Sequence, residues 1–156
     1  MTARPAALAA MVLAALMLPL AAGCGGDDGA GDPQATPAAV APEASQDCAS
    51  VGDLTGAPTL SPPADLPILD GAHVYESQGP FGKTTQYFAA IAGDAQRLPA
   101  TRDAVVDQLT GAGYQKLATD QEAGTEAEAH LSGPHTVDVQ VINLCSGKLR
   151  VRYTVG

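Results

Sequence analysis

The sequence predicts an α+β domain, with an antiparallel sheet of about five to six strands and one helix packed on one face, in two layers. Apolar and polar residues alternate along several short segments between residues 73 and 155, which is typical of strands that bury only one side. One segment, residues 99–113, instead repeats its apolar residues at helical spacing. A helix covering one face of an antiparallel sheet gives a two-layer α+β architecture.

Two strands are predicted before the helix. Residues 73–78 (HVYESQ) and 84–92 (TTQYFAAIA) have strand character, and the stretch GPFGK at 79–83 separates them as a turn. The segment around Lys83, FGKTT, is similar to the end of a phosphate-binding loop. The full motif needs a glycine six residues before the lysine, where this chain has Ser77, and a helix after it. We therefore predict a hairpin turn and not a nucleotide site.

The predicted helix and the strands after it have different signals. Pro99 suits the first turn of a helix, and Gly111 and Gly113 can end it. Residues 114–119 and 126–131 alternate less regularly and are predicted as two further strands.

A C-terminal hairpin is the clearest strand signal in the chain. Val137, Val139 and Val141 alternate with polar residues, and residues 149–155 alternate in the same way. The stretch CSGK at 145–148 joins the two runs as a turn. Each of these strands is expected to bury one face and leave the other in water.

Composition and charge exclude one class of partner. The chain of 156 residues has a formal net charge of −9 and no run of four or more basic residues. Such an acidic protein is repelled by nucleic acid, so we expect no nucleic-acid binding. It also has no Trp, two Phe and four Tyr. A core made mainly of Val, Leu, Ile and Ala is small, so the domain is expected to need a covalent staple.

The first 23 residues have the build of a secretory signal peptide. Arg4 precedes an apolar stretch at 6–18, which is too short to span a bilayer, and small residues at 21–23 follow it. The sequence LAAGC, ending at Cys24, resembles the lipobox of bacterial lipoproteins. The resemblance implies that Cys24 becomes the first mature residue and carries a diacylglycerol and usually a further acyl chain, which anchors the protein to a membrane. Release by an ordinary signal peptidase and an uncleaved anchor are the alternatives.

Three segments are predicted. Residues 1–23 are the signal peptide, and residues 24–47 are a lipid-anchored linker rich in Gly, Pro, Ala and Asp. This linker has no aromatic residue and is expected to be disordered. Residues 48–156 form a single α+β domain, which starts with an irregular, proline-rich lead-in segment at 49–72. The predicted location is the extracytoplasmic side of a bacterial cell envelope.

Two cysteines remain once Cys24 is assigned to the lipid. Cys48 stands where the linker ends, and Cys145 stands at the tip of the last hairpin. An even pair in an exported domain with a small core favours a disulfide between them. Two unpaired structural thiols are the alternative, and neither cysteine lies in a C-x-x-C motif or beside a basic cluster that would activate a catalytic thiol.

Several polar side chains are candidates for a metal or catalytic site. His130 and His135 could face one another across a turn, with Glu126 and Glu128 as further metal ligands, but a solvated strand face is the plainer interpretation. Ser132 with these histidines is the one polar cluster that an enzyme could use. No nucleophile elbow, calcium loop or dinucleotide fingerprint is present in the sequence. We therefore predict no catalytic residue, no metal and no cofactor.

The function that the sequence favours is non-catalytic binding of an envelope protein or of the cell wall. Arg150 and Arg152 lie side by side on one predicted strand of an acidic domain, so they are the predicted partner contact. The alternative is that they pair with Asp138 across the hairpin. A carrier or sensor of a small or apolar ligand is the second class, and an envelope hydrolase is the third.

Overall fold

The structure is a computed structural model, and it describes residues 46–156. The predicted signal peptide, Cys24 and nearly all of the predicted linker lie outside the described residues. The elements along the chain are β1 (His73–Phe81), β2 (Thr84–Ala92), α1 (Leu98–Gly111), β3 (Gln115–Glu122), β4 (Glu126–Ser132), β5 (Thr136–Cys145) and β6 (Lys148–Val155). The six strands form one antiparallel sheet in the order β1-β2-β6-β5-β4-β3. The α+β class and the antiparallel sheet are therefore confirmed.

Helix α1 contacts β4 and β5 and, to a smaller extent, β3. A proline stands in its first turn, as predicted. The helix ends because Gly113 takes a φ of +94°, and the following N–H of Tyr114 then donates back to the Leu109 carbonyl at 3.1 Å. The core contains Leu98, Val105, Val106 and Leu109 of α1 together with Ala127, Ala129, Leu131, Val137, Val139, Val141, Leu149, Val151 and Tyr153 of the sheet.

The lead-in segment contributes to this core. Leu66 and Leu69 are buried in it, although the residues around them form neither helix nor strand. The backbone N–H of Leu69 donates to the phenolic oxygen of Tyr153 at 3.0 Å. Gln108 of α1 donates its side-chain amide to the Ile68 carbonyl at 2.9 Å. These bonds satisfy polar groups of an irregular segment that would otherwise be buried without partners.

Strands β1 and β3 run further toward their C-terminal ends than predicted. Strand β1 continues through Gly79 and Pro80 to Phe81, with a register shift against β2, so the predicted GPFGK turn contracts to Gly82 and Lys83. Strand β3 runs to Glu122 although its last residues are all polar. It is an edge strand whose eight residues are all exposed, so its pairing with β4 does not require an apolar face.

The Cys48–Cys145 disulfide is present, with its two Cα atoms 5.0 Å apart. It joins the start of the described chain to the end of β5. Next to it, the Ser146 N–H donates to the Gln46 carbonyl at 3.1 Å, and the Gln46 side chain donates to the Leu144 carbonyl at 3.3 Å. The start of the domain is therefore tied to the β5–β6 turn by both covalent and hydrogen bonds.

Candidate functional site

The face of the sheet that points away from α1, called the open face here, carries most of the polar side chains of the central strands. Alternation places these residues on one side because successive side chains of a strand point to opposite faces. The strand register aligns them in three rows, each with one residue from β2, β6, β5 and β4 in that order. The first row is Gln86, Thr154, Asp138 and His130, and the second is Phe88, Arg152, Gln140 and Glu128. The third row is Ala90, Arg150, Ile142 and Glu126. On β6, β5 and β4 these side chains are exposed or half-buried.

Two arginines lie at the β6 side of the open face. The Arg150 guanidinium carbon lies 5.5 Å from the centroid of the Phe88 ring, and Phe88 is buried beneath it. The Nε atoms of Arg150 and Arg152 are both buried and have no hydrogen-bond partner among residues 46–156. Among residues 46–156 neither arginine forms an ion pair. The alternative that they pair with Asp138 is wrong, because that carboxylate contacts His130.

Carboxylates gather at the other side of the open face. The side-chain amide nitrogen of Gln140 donates to Glu126 at 2.6 Å and to Glu128 at 3.2 Å, so one nitrogen holds both carboxylates. Asp120 of β3 is the register partner of Glu128 and continues the same row to the edge of the sheet. Within the described part of the chain no lysine or arginine pairs with these three acidic side chains. The open face is therefore positive along β6 and negative along β3 and β4.

A groove of about 490 Å³ runs across the open face between these two regions. Its volume falls in the range of small-ligand sites. Its polar lining comes from five strands and includes Gln86, Asp120, Glu128, His130, Asp138, Gln140, Arg152 and Thr154. The groove therefore brings together an arginine, a histidine, three carboxylates and two amides.

His130 and His135 do not face one another, so the alternative of a histidine pair across the turn is wrong. His130 Nδ1 contacts the carboxylate of Asp138, its register partner on β5, within the groove. His135 Nε2 instead lies 3.0 Å from the Asp65 carboxylate, which belongs to the lead-in segment. This hydrogen bond holds the pKa of Asp65 below its ordinary value. His130 lies on β4 and His135 lies in the turn before β5, and the two imidazoles contact different aspartates although they are five residues apart in sequence.

Chemically, the His130–Asp138 pair has a defined orientation. Because the carboxylate accepts from Nδ1, the other ring nitrogen of His130 is free to accept a proton or, once protonated, to donate one. Ser132 shares the open-face side of β4 with His130. A search of residues 46–156 finds no group of three or more His, Cys, Asp and Glu side chains arranged to hold a metal ion.

Sequence reasoning missed the central residue of this arrangement. Gln140 was predicted only as a polar position of the C-terminal hairpin, and nothing in its neighbours along the chain marks it. Its importance comes from lying opposite both Arg152 on β6 and Glu128 on β4. That position follows from the strand order, in which β5 lies between β6 and β4. A prediction of the strand order would have placed Gln140 between the two charged groups.

Outside the open face, Arg102 fixes α1 to the edge of the sheet. Its guanidinium donates to the Asp120 carbonyl at 3.0 Å and pairs with the Asp103 carboxylate at 2.8 Å. One backbone acceptor on β3 is thereby occupied. No helix among residues 46–156 has the length and apolar character needed to cross a membrane.

Comparison with known proteins leaves the chain without a family. No protein-family model matches the sequence, and a search of the curated proteins finds no relative.

Proposed function

We propose that this chain is a bacterial cell-envelope lipoprotein whose folded domain is a non-catalytic binding module. Acyl chains on Cys24 anchor it to a membrane on the extracytoplasmic side, and residues 24–47 tether the domain to that anchor. The support for the anchor is the LAAGC sequence after an apolar stretch. In the two-layer arrangement α1 covers one face of the sheet, and the open face is the binding surface.

One observation carries the binding proposal: Arg150 and Arg152 are half-buried, adjacent and without any carboxylate partner among residues 46–156. Partly desolvated charges are unfavourable unless an opposite charge compensates them. The domain does not lack carboxylates, because residues 46–156 contain 13 Asp and Glu against seven Lys and Arg. That the arginines remain unpaired in such an acidic domain supports a partner that supplies the missing anion.

The proposed anchor favours weak contacts of this kind. A flexible tether of about 22 residues has a root-mean-square span of roughly 25 Å. A domain held that close to a surface meets partners on the same surface at a high effective concentration. A shallow, polar site can then be occupied without a deep apolar pocket.

The proposal is tested by crosslinking capture from native membranes with two double variants. Arg150→Gln with Arg152→Gln removes two charges from the open face, whereas Lys83→Gln with Arg97→Gln removes two exposed charges from the β1–β2 turn and from the residue before α1. Net charge changes equally in both, so a loss of captured partner in the arginine variant alone supports the open face as the contact. Equal recovery from the wild type and the arginine variant refutes it.

Two other functions remain as candidates because specific observations favour them. The size of the groove favours a carrier of a small ligand, whose binding would use the same face. The His130–Asp138 pair favours a hydrolase, because an imidazole oriented by a carboxylate can act as a general base. A measurable turnover that disappears in His130→Ala, together with unchanged partner capture in the arginine variant, would replace the binding proposal by the hydrolase.

A further inference from the structure

We propose that the groove on the open face binds a zwitterion, namely a short peptide with a free carboxylate and a free ammonium group. This inference rests on the proposed function, since it names the chemistry of the ligand that the same face would bind. Its basis is the separation of charge across the groove: Arg152 at one side, and Glu128 and Asp120 at the other.

The four residues that define this separation lie in one row. Arg152, Gln140, Glu128 and Asp120 are successive register partners on β6, β5, β4 and β3. Neighbouring strands lie about 4.8 Å apart, so the Cα atoms of Arg152 and Glu128 are separated by roughly 10 Å and those of Arg152 and Asp120 by roughly 14 Å. The long side chains at both ends reduce these gaps, which leaves room for a ligand whose two charges are several ångströms apart.

The positive end suits a carboxylate. A guanidinium presents its donors in a planar fork that matches the two oxygens of a carboxylate. Arg150, two residues before Arg152 on the same face of β6, adds a second positive charge beside it. Within the described residues no protein carboxylate pairs with the guanidinium group of Arg150 or Arg152.

The negative end suits an ammonium group. Gln140 holds Glu126 and Glu128 together through a single nitrogen, so two negative charges lie close to one another with only a neutral amide between them. Like charges at this separation repel, and a cation placed beside both relieves that repulsion. Of these two carboxylates Glu128 lines the groove, and Asp120 adds a second lining carboxylate on the same side.

Ligands of a single charge fit this groove less well. A simple anion would meet Asp120, Glu128 and Asp138 in the lining, and a simple cation would meet Arg152. A zwitterion oriented along the row has a favourable partner at each end. Gln86, Gln140 and Thr154 supply further donors and acceptors for an amide backbone between the two charges.

Calorimetric titration of the purified full-length protein in mild detergent tests this assignment. The probes are alanine peptides of one to four residues with free termini, each compared with its N-acetylated and its C-amidated form. At least one free peptide is expected to bind about ten to one hundred times more tightly than either of its blocked forms, because each block removes one charge-assisted contact. Equal binding of the acetylated form would make this an anion site, equal binding of the amidated form a cation site, and both results overturn the proposal. The absence of any peptide binding up to about 10 mM overturns it as well.

Variants assign the two ends of the ligand. Arg152→Gln should weaken binding of the free peptide by about tenfold or more yet leave binding of the amidated peptide unchanged. The reason is that amidation and the substitution each remove the same contact, between the Arg152 guanidinium and the peptide carboxylate. Glu128→Gln should behave in the corresponding way toward the acetylated peptide. Arg97→Gln and Asp107→Asn, which change exposed charges outside the groove and off the open face, are the matched controls and should change neither affinity. A variant that weakens free and blocked peptides equally contradicts the assigned orientation.

The outcomes separate this inference from the proposed function. If no peptide binds, but membrane capture still depends on Arg150 and Arg152, the ligand class is wrong and the binding module stands. If peptide binding and membrane capture are both absent, both proposals fail.

Discussion

Loss of the Cys48–Cys145 disulfide is expected to destabilise the domain by several kcal/mol. The bond closes a loop with a sequence separation of 97 residues. In the chain-entropy model, a loop of that size restricts the unfolded chain by about 16 cal/mol/K, or roughly 4.7 kcal/mol at 25 °C. The hydrogen bonds from Gln46 and Ser146 persist without the bond and retain part of the local order. Measured effects of disulfide loss are often smaller than the model, so we expect a loss of about 2–4 kcal/mol.

The double variant Cys48→Ala with Cys145→Ala is the appropriate perturbation. Cys145 is fully buried, and alanine introduces no polar group there. For a domain of this size, 2–4 kcal/mol corresponds to a fall in the thermal midpoint of about 10–20 °C. Urea titrations of the wild type with and without a reductant, and of the variant, supply the measurement. Reduced wild type should match the variant, and the reductant should leave the variant unchanged. A loss below about 1 kcal/mol would refute the view that a small core depends on this covalent staple.

Three further predictions concern other parts of the chain. Cys24→Ser should abolish acyl-chain labelling in cells and leave the precursor uncleaved, whereas normal processing to a soluble product would indicate an ordinary signal peptidase. Tyr153→Phe should cost about 1–2 kcal/mol in urea titrations, because the Leu69 N–H loses its acceptor. Burial raises the pKa of Tyr153 to about 12, above the ordinary tyrosine value of 10. The contribution of this group to the free energy of unfolding is therefore retained below pH 10 and falls as pH rises from 10 to 12. Tyr153→Phe should show a smaller fall over that window. Gly133→Ala should destabilise by about 1–3 kcal/mol, since its Cβ would lie 2.9 Å from the Tyr114 ring, and an unchanged thermal midpoint would contradict this contact.

Sequence patterns predicted the fold well where one face of a strand is buried. In β5 and β6 the valines and other apolar residues lie under α1 and the neighbouring core, so burial imposes a strict alternation that is legible in the sequence. Strand β3 was predicted too short because it lies at the edge with both faces exposed, and no alternation is required there. The extent of β1 was missed because glycine and proline, which normally indicate a turn, occur within an edge strand.

The candidate site was only partly accessible to such reasoning. Arg150 and Arg152 were selected because they are adjacent positive charges on a predicted strand, which is a local property. The groove depends on which strands are neighbours, and the pairing of β2 with β6 joins residues 56 to 70 positions apart. Local patterns carry no information about such pairings. The same reason explains why the contact of His135 with Asp65, 70 positions away along the chain, was not predicted.

Site-specific photo-crosslinking on native membranes tests most directly the claim that the open face is the binding surface. A photoreactive residue replaces Gln86, which lines the groove, and in a second variant it replaces Asp107, which is exposed on α1. If the open face is the binding surface, position 86 should give a discrete adduct that disappears when Arg150→Gln and Arg152→Gln are added. Position 107 should give no adduct. An adduct from position 107 alone, or one from position 86 that persists without both arginines, would contradict it.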